Sequence, residues 1–181
     1  MIDPLLSAVQ DLRWVQDGVL PGSHDLRAGD GTSIATVRFE PRPTISWSYT
    51  DRRRARAACG QQHWDLRIER SGIMGLLGIR ASVRVSGSDV GAFAAGAFFL
   101  TGILELSGGR SFRWDGGMER SRSVFEDASG QLLIGFEPGS MAERINTYLD
   151  VRPNAAYLSE WPLLAVLGLY LRLAMSKTFR Q

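Results

Sequence analysis

Trp161-Pro162-Leu163-Leu164-Ala165-Val166-Leu167-Gly168-Leu169-Tyr170-Leu171-Arg172-Leu173-Ala174-Met175 is the most apolar stretch of this 181-residue chain, and where it goes decides the fold. Apart from Pro162, Gly168 and Arg172 every side chain is strongly apolar, alanine or aromatic, so no face of a helix built from it is left for water. A helix that is apolar all round is enclosed by lipid or by protein. A bilayer asks for about 20 such residues, and a charge near the centre of a span costs about 2.5 to 3.5 kcal/mol. At about 1.5 Å per residue this segment reaches roughly 22 Å, and it carries Arg172. It reads as a core helix over about 159–176. A C-terminal tail anchor, rescued by a snorkelling Arg172, is the alternative. Ser159 is expected to cap the helix, with Glu160 and Pro162 in its first turn.

A helix enclosed by protein needs a wrapper, and the remainder of the chain reads as strands. Thr44–Tyr49, His63–Glu69, Ala81–Val85, Phe98–Leu106, Ser111–Trp114, Ser123–Glu126, Leu132–Phe136 and Thr147–Val151 are short runs rich in aromatic and β-branched residues. Arg80-Ala81-Ser82-Val83-Arg84-Val85 and Ile103-Leu104-Glu105-Leu106 alternate with the period of a half-buried strand. Ser107-Gly108-Gly109-Arg110, Asp115-Gly116-Gly117 and Asp127-Ala128-Ser129-Gly130 punctuate them as hairpin turns. The predicted fold class is therefore mainly β, a closed antiparallel β-barrel wrapped around a hydrophobic C-terminal α-helix, with no strand edge exposed. Leu5, Val9 and Leu12, between Asp3-Pro4 and Gly18, are spaced like one face of a short N-terminal helix. The small-residue stretch Gly87–Ala97 is expected to be a loop within the barrel, with room for a strand. No break in composition divides the chain, so a single domain over 1–181 is expected.

Composition narrows the partners. Hydrophobic residues at 44% and charged ones at 22% match ordinary globular usage. The formal net charge is +2, too small for a nucleic-acid footprint, although Lys177 is the sole Lys among the basic residues. Cys59 is the only cysteine, which rules out an intrachain disulfide and a Cys-based zinc site. Met1–Leu6 has no basic region ahead of an apolar run, so export is not expected and a cytoplasmic location is.

The densest charge cluster is Asp51-Arg52-Arg53-Arg54-Ala55-Arg56. Arg52, Arg53, Arg54 and Arg56 are the candidate ligand-binding residues, because guanidinium forks match phosphate oxygens. Lying between two predicted strands and beside Asp51, which partly offsets their charge, they read more simply as a solvated hairpin loop. His63 and Asp65 share a strand face but make a weak metal pair, and His24 has no supporting motif. Cys59 lacks an identifiable partner for nucleophilic work. Glu126 and Asp127 are neighbours on a strand and point apart, and Asp127 suits a turn. Gly72–Gly78 lacks the Lys-Ser/Thr of a phosphate loop, and its Ile73, Met74, Leu76 and Leu77 suit burial or a lipid interface. The five Trp are dispersed and suit the core. No catalytic residue, metal or cofactor is expected.

Three segments carry a family resemblance: Gly102-Ile103-Leu104-Glu105-Leu106-Ser107-Gly108-Gly109-Arg110-Ser111-Phe112-Arg113-Trp114, then Ser123-Val124-Phe125-Glu126-Asp127-Ala128-Ser129-Gly130-Gln131-Leu132-Leu133, then Glu160-Trp161-Pro162-Leu163-Leu164 with Gly168-Leu169-Tyr170. With them the chain resembles bacterial members of the tubby C-terminal-like superfamily, which also takes in the phospholipid scramblases and the plant LURP-one-related proteins. The likeness is strongest from about Phe98 onward; Leu12-Arg13-Trp14 and His24-Asp25-Leu26 resemble the start of such a domain. It implies about twelve strands and, through tubby domains, an association with phosphate-bearing lipid head groups. The functional expectation is a non-enzymatic barrel that binds anionic phospholipid or another phosphate-bearing ligand at its surface, peripheral to the inner face of the membrane. A structural or protein-protein interaction module is the alternative.

Overall fold

Alternation along the chain builds the wall. In the computed structural model, which describes residues 11–16, 22–40, 54–70, 79–96, 101–117, 122–139 and 146–175, β5 (Gln62–Arg70) turns Trp64, Leu66 and Ile68 inward and His63, Asp65, Arg67 and Glu69 outward. β6 (Ile79–Val85) does the same with Ile79, Ala81 and Val83 against Arg80 and Arg84. The other strands are β1 (Leu12–Gln16), β2 (Ser23–Arg27), β3 (Ser33–Phe39), β4 (Arg54–Cys59), β7 (Ser88–Ala95), β8 (Thr101–Leu106), β9 (Ser111–Asp115), β10 (Ser123–Glu126), β11 (Leu132–Pro138) and β12 (Thr147–Val151). Each pairs antiparallel with its neighbours in sequence. β1 then pairs with β12, Leu12 opposite Leu149 and Trp14 opposite Thr147, so the twelve strands close into a barrel.

After β12 come a single helical turn, α1 (Pro153–Ala156), and α2 (Trp161–Met175). Leu164, Ala165, Val166, Leu167, Tyr170 and Leu171 of α2 have no exposed surface. The helix packs on β3 and β4 and also on β10 and β11, across the lumen. Ala35, Ala55 and Ala57 give it room on one side; Trp114, Phe125 and Phe136 fill the other. A tail anchor is therefore excluded for this segment. Among the described residues no helix is long and apolar enough to cross a membrane.

Several expectations need correction. Leu12 belongs to β1 and not to a helix, while Leu5, Val9 and the run Thr44–Tyr49 lie outside the described residues. The stretch around Gly87–Ala97 contains a full strand, β7, hidden in the sequence by its Gly, Ala and Ser. Its one large inward residue, Phe93, lies over Gly102 of β8, where any Cβ would strike the ring. The helix starts at Trp161, two residues after the expected start, and Ser159 is not its cap. Ser159 donates its hydroxyl to Glu160 Oε2 at 3.0 Å, and the first helical bond runs from Leu164 N–H to the Glu160 carbonyl.

The meander sorts the connections by end. The turns β2–β3, β4–β5, β6–β7, β8–β9 and β10–β11 all fall at one end of the barrel, which follows from up-and-down order. They are tight: Ser86 (φ 50°) and Gly87 (φ 83°) both take the left-handed conformation a two-residue hairpin requires. α2 starts at this end and runs to the other. There Arg172 donates to Ser123 Oγ at 2.9 Å and to the Phe136 carbonyl at 3.4 Å, and Tyr170 stacks on Phe39 with ring centroids 5.8 Å apart.

Candidate functional site

The arginine cluster splits between two settings. Arg52 and Arg53 lie outside the described residues, whereas Arg54 and Arg56 stand in β4 and not in a hairpin loop. Ala55 and Ala57 point inward beside them, so Arg54 and Arg56 project from the outer wall. Register brings them company. Arg56 lies opposite Arg38 of β3 on one side and Asp65 of β5 on the other, and Arg54 lies opposite Arg67. Arg84 follows Asp65 across β6, and Arg80 stands opposite Glu69.

Six guanidinium groups thus share the outer face of four adjacent strands. Acids neutralise part of the set: Arg56 Nε lies 3.8 Å from Asp65, Arg67 Nε 3.2 Å from Glu69, and Arg84 Nε 2.7 Å from Asp89. The hydrogen bond to Asp89, with its charge, holds the Arg84 guanidinium above its ordinary pKa. Arg38, Arg54 and Arg80 have no ion pair among the described residues. Directly opposed like charges, about 5 Å apart at the backbone, destabilise a sheet, and this wall has two such pairs, Arg38/Arg56 and Arg54/Arg67.

The second site is the barrel mouth at the tight-turn end. A cavity of about 680 Å³ opens between the β4–β5, β6–β7 and β8–β9 turns and the start of α2. Trp64 and Leu163 form a buried floor, flanked by half-buried Val85, Val90 and Leu106. Arg110 stands on the rim and donates from Nη1 to Glu160 Oε2 at 2.7 Å. The carboxylate is recessed, its side chain 18% exposed, while the Arg110 side chain is 55% exposed. The Ser159 hydroxyl holds the same Glu160 oxygen. His63 Nδ1 lies 3.1 Å from the Gln61 carbonyl, which only accepts, so Nδ1 carries the proton and Nε2 is free to accept in the neutral ring.

Other candidates resolve simply. His63 and Asp65 share the outer face as expected, and Asp65 faces Arg56. Among the described residues no group of three or more His, Cys, Asp or Glu is placed to hold a metal ion. His24 is buried, edge-on to Phe39. Burial pushes the Cys59 thiol up, away from the reactive thiolate. Asp127 is a turn residue: the Ser129 hydroxyl and the backbone N–H groups of Gln131, Ser129 and Gly130 hold its carboxyl below the ordinary range. Trp14, Trp64, Trp114 and Trp161 are core residues, and the indole N–H groups of Trp14 and Trp114 have no hydrogen-bond partner among the described residues. Trp47 and Gly72–Gly78 lie outside the described residues.

Sequence reasoning missed Arg38, Arg67, Arg80 and Arg84 as companions of the cluster. The alternation of Arg80 and Arg84 with Ala81 and Val83 carried the signal, but only the pairing of β3 to β6 joins them. Arg110 and Glu160, 50 residues apart, left no local mark. No family model, curated protein or solved structure matches this chain.

Proposed function

We propose that the chain is a non-enzymatic, tubby-like barrel that binds an anionic phospholipid surface through the outer wall of β3–β6, peripheral to the inner face of a membrane. One observation carries the reading: Arg38/Arg56 and Arg54/Arg67 are opposed like-charge pairs on adjacent strands. Asp65 and Glu69 offset one member of each pair, Arg56 and Arg67, which leaves Arg38 and Arg54 beside a like charge without an acid of their own among the described residues; phosphate oxygens placed there supply the missing charge-assisted hydrogen bonds. The likeness of the Gly102–Trp114 and Ser123–Leu133 hairpins to the superfamily supports the same choice of ligand. The strand setting extends the candidate set beyond Arg52, Arg53, Arg54 and Arg56.

Co-sedimentation with phosphatidylcholine vesicles, with and without phosphatidylserine, tests it. Binding is expected only with the anionic lipid, to fall steeply with added salt, and to be lost in an Arg38/Arg54/Arg56→Gln variant. Equal binding by wild type and variant, or binding to neutral vesicles, overturns it. Ile103, 52% exposed on the outer face of β8, favours the second reading, a protein-interaction module. That reading predicts association that survives both salt and the arginine variant.

A further inference from the structure

The geometry points to the barrel mouth as a binding site for a small amphipathic anion, with Arg110 taking the acidic head and the floor taking an apolar body. This site is separate from the arginine wall and does not depend on it. The cavity, about 680 Å³, falls in the range that holds a drug-sized ligand, and its mixed lining is of the kind such sites use. Val85, Val90 and Leu106 are left half exposed inside a concavity, where a ligand would remove apolar surface from water.

The sign of the ligand follows from the Arg110–Glu160 pair. Glu160 is the recessed partner, held by Arg110 Nη1 at 2.7 Å and by the Ser159 hydroxyl at 3.0 Å. Arg110 is the exposed one. A guanidinium has five N–H donors, and the bond to Glu160 is the only one the Arg110 guanidinium makes among the described residues. The mouth therefore presents a guanidinium pinned from behind, with donors still free at the rim. A pinned fork loses less side-chain freedom on taking a carboxylate or sulfonate than a loose one. Apart from Glu160 no acidic side chain among the described residues lines the cavity to compete for it, and the apolar floor favours an anion with an apolar body over a small hydrophilic one.

Anilinonaphthalenesulfonate, an aryl sulfonate with strong fluorescence in apolar surroundings, tests the site on the full chain. Wild type is expected to bind it saturably at one site and to release it to decanoate. Arg110→Gln is expected to weaken it about tenfold or more, the worth of a charge-assisted hydrogen bond, while leaving binding of uncharged phenylnaphthylamine in place. The Arg38/Arg54/Arg56→Gln variant is expected to bind both probes as wild type does, which separates this site from the lipid-binding wall. No saturable binding by wild type, or equal sulfonate binding by Arg110→Gln, overturns the proposal. Should circular dichroism find Arg110→Gln unfolded, Val90→Trp fills the cavity from its flank instead, and unchanged sulfonate binding by that variant overturns it equally.

Discussion

Gly168 of α2 lies flat against the ring of Phe136 in β11, so close that a Cβ on the glycine would overlap the ring. The ring has nowhere to go: it is fully buried, 5.5 Å from the Trp114 ring and 6.4 Å from that of Phe125 between centroids. In an exposed helix Gly→Ala gains up to about 1 kcal/mol. Here overpacking reverses the sign, and Gly168→Ala is expected to lower stability by about 1 to 3 kcal/mol in urea denaturation. Adding Phe136→Leu should recover part of the loss; a stabilised single variant would mean that the helix sits further from the wall.

Removing α2 should unfold the barrel rather than release a soluble shell. Each buried Leu or Val of the helix is worth about 1.5 to 3 kcal/mol, and a whole domain holds only about 5 to 15 kcal/mol. Circular dichroism of a chain ending before Leu158 is expected to show no β-sheet, and a cooperative thermal transition in that chain would refute the central placement of the helix.

Ser123 is buried, accepting from Arg172 and donating to the Gly116 carbonyl at 2.7 Å. Ser123→Ala leaves that carbonyl without its hydroxyl and Arg172 with one partner fewer. A loss of about 1 to 3 kcal/mol is expected from chemical denaturation, and a neutral result would show that water reaches this end of the lumen.

Burial holds the Tyr170 hydroxyl well above the ordinary phenol range, and a hydrogen bond with the Ile68 backbone opposes this only in part. The folded chain therefore keeps the proton more tightly than the unfolded one. This contribution to stability is whole below the ordinary phenol pKa of about 10 and is lost as pH rises towards the folded value. Of the four tyrosines, Tyr170 should ionise only as the protein unfolds. Ultraviolet titration beside near-ultraviolet circular dichroism decides this, with Tyr170→Phe removing the coupled component. Full ionisation of all four while the fold persists would contradict the burial.

Arg54→Glu turns an opposed Arg54/Arg67 pair into an attractive one. A gain of roughly 0.2 to 1 kcal/mol is expected in denaturation, together with weaker sedimentation on phosphatidylserine vesicles. Stability and binding moving in the same direction would argue that the wall is arranged for folding alone.

Legibility followed side-chain size and reach. α2 and the strands from β8 to β12 were readable because Phe, Trp, Leu and Ile mark their inner faces and Gly-rich turns separate them. β7 was obscured because packing over Gly102 asks for only one large residue, Phe93. β3 and β4 escaped because alanine lines their inner faces where the helix approaches. The arginines of β4 were visible as a run, yet alternation with Ala55 and Ala57 is too faint a pattern to tell strand from loop. Arg110 was visible only as a turn residue, since its meaning depends on Glu160, 50 residues further along the chain.

Closure by β1 on β12 around α2 also sets the order of events in the cell. A ribosome releases about 5 to 20 residues each second, so Leu12 and Trp14 wait for seconds before Leu149 and Thr147 exist to pair with them. Until then the growing sheet carries two open edges and an unfilled lumen, which invite pairing with other chains. Such a nascent barrel is a natural client for chaperones that shield apolar surface. A message truncated anywhere ahead of α2 yields no smaller folded product, only a fragment to be degraded.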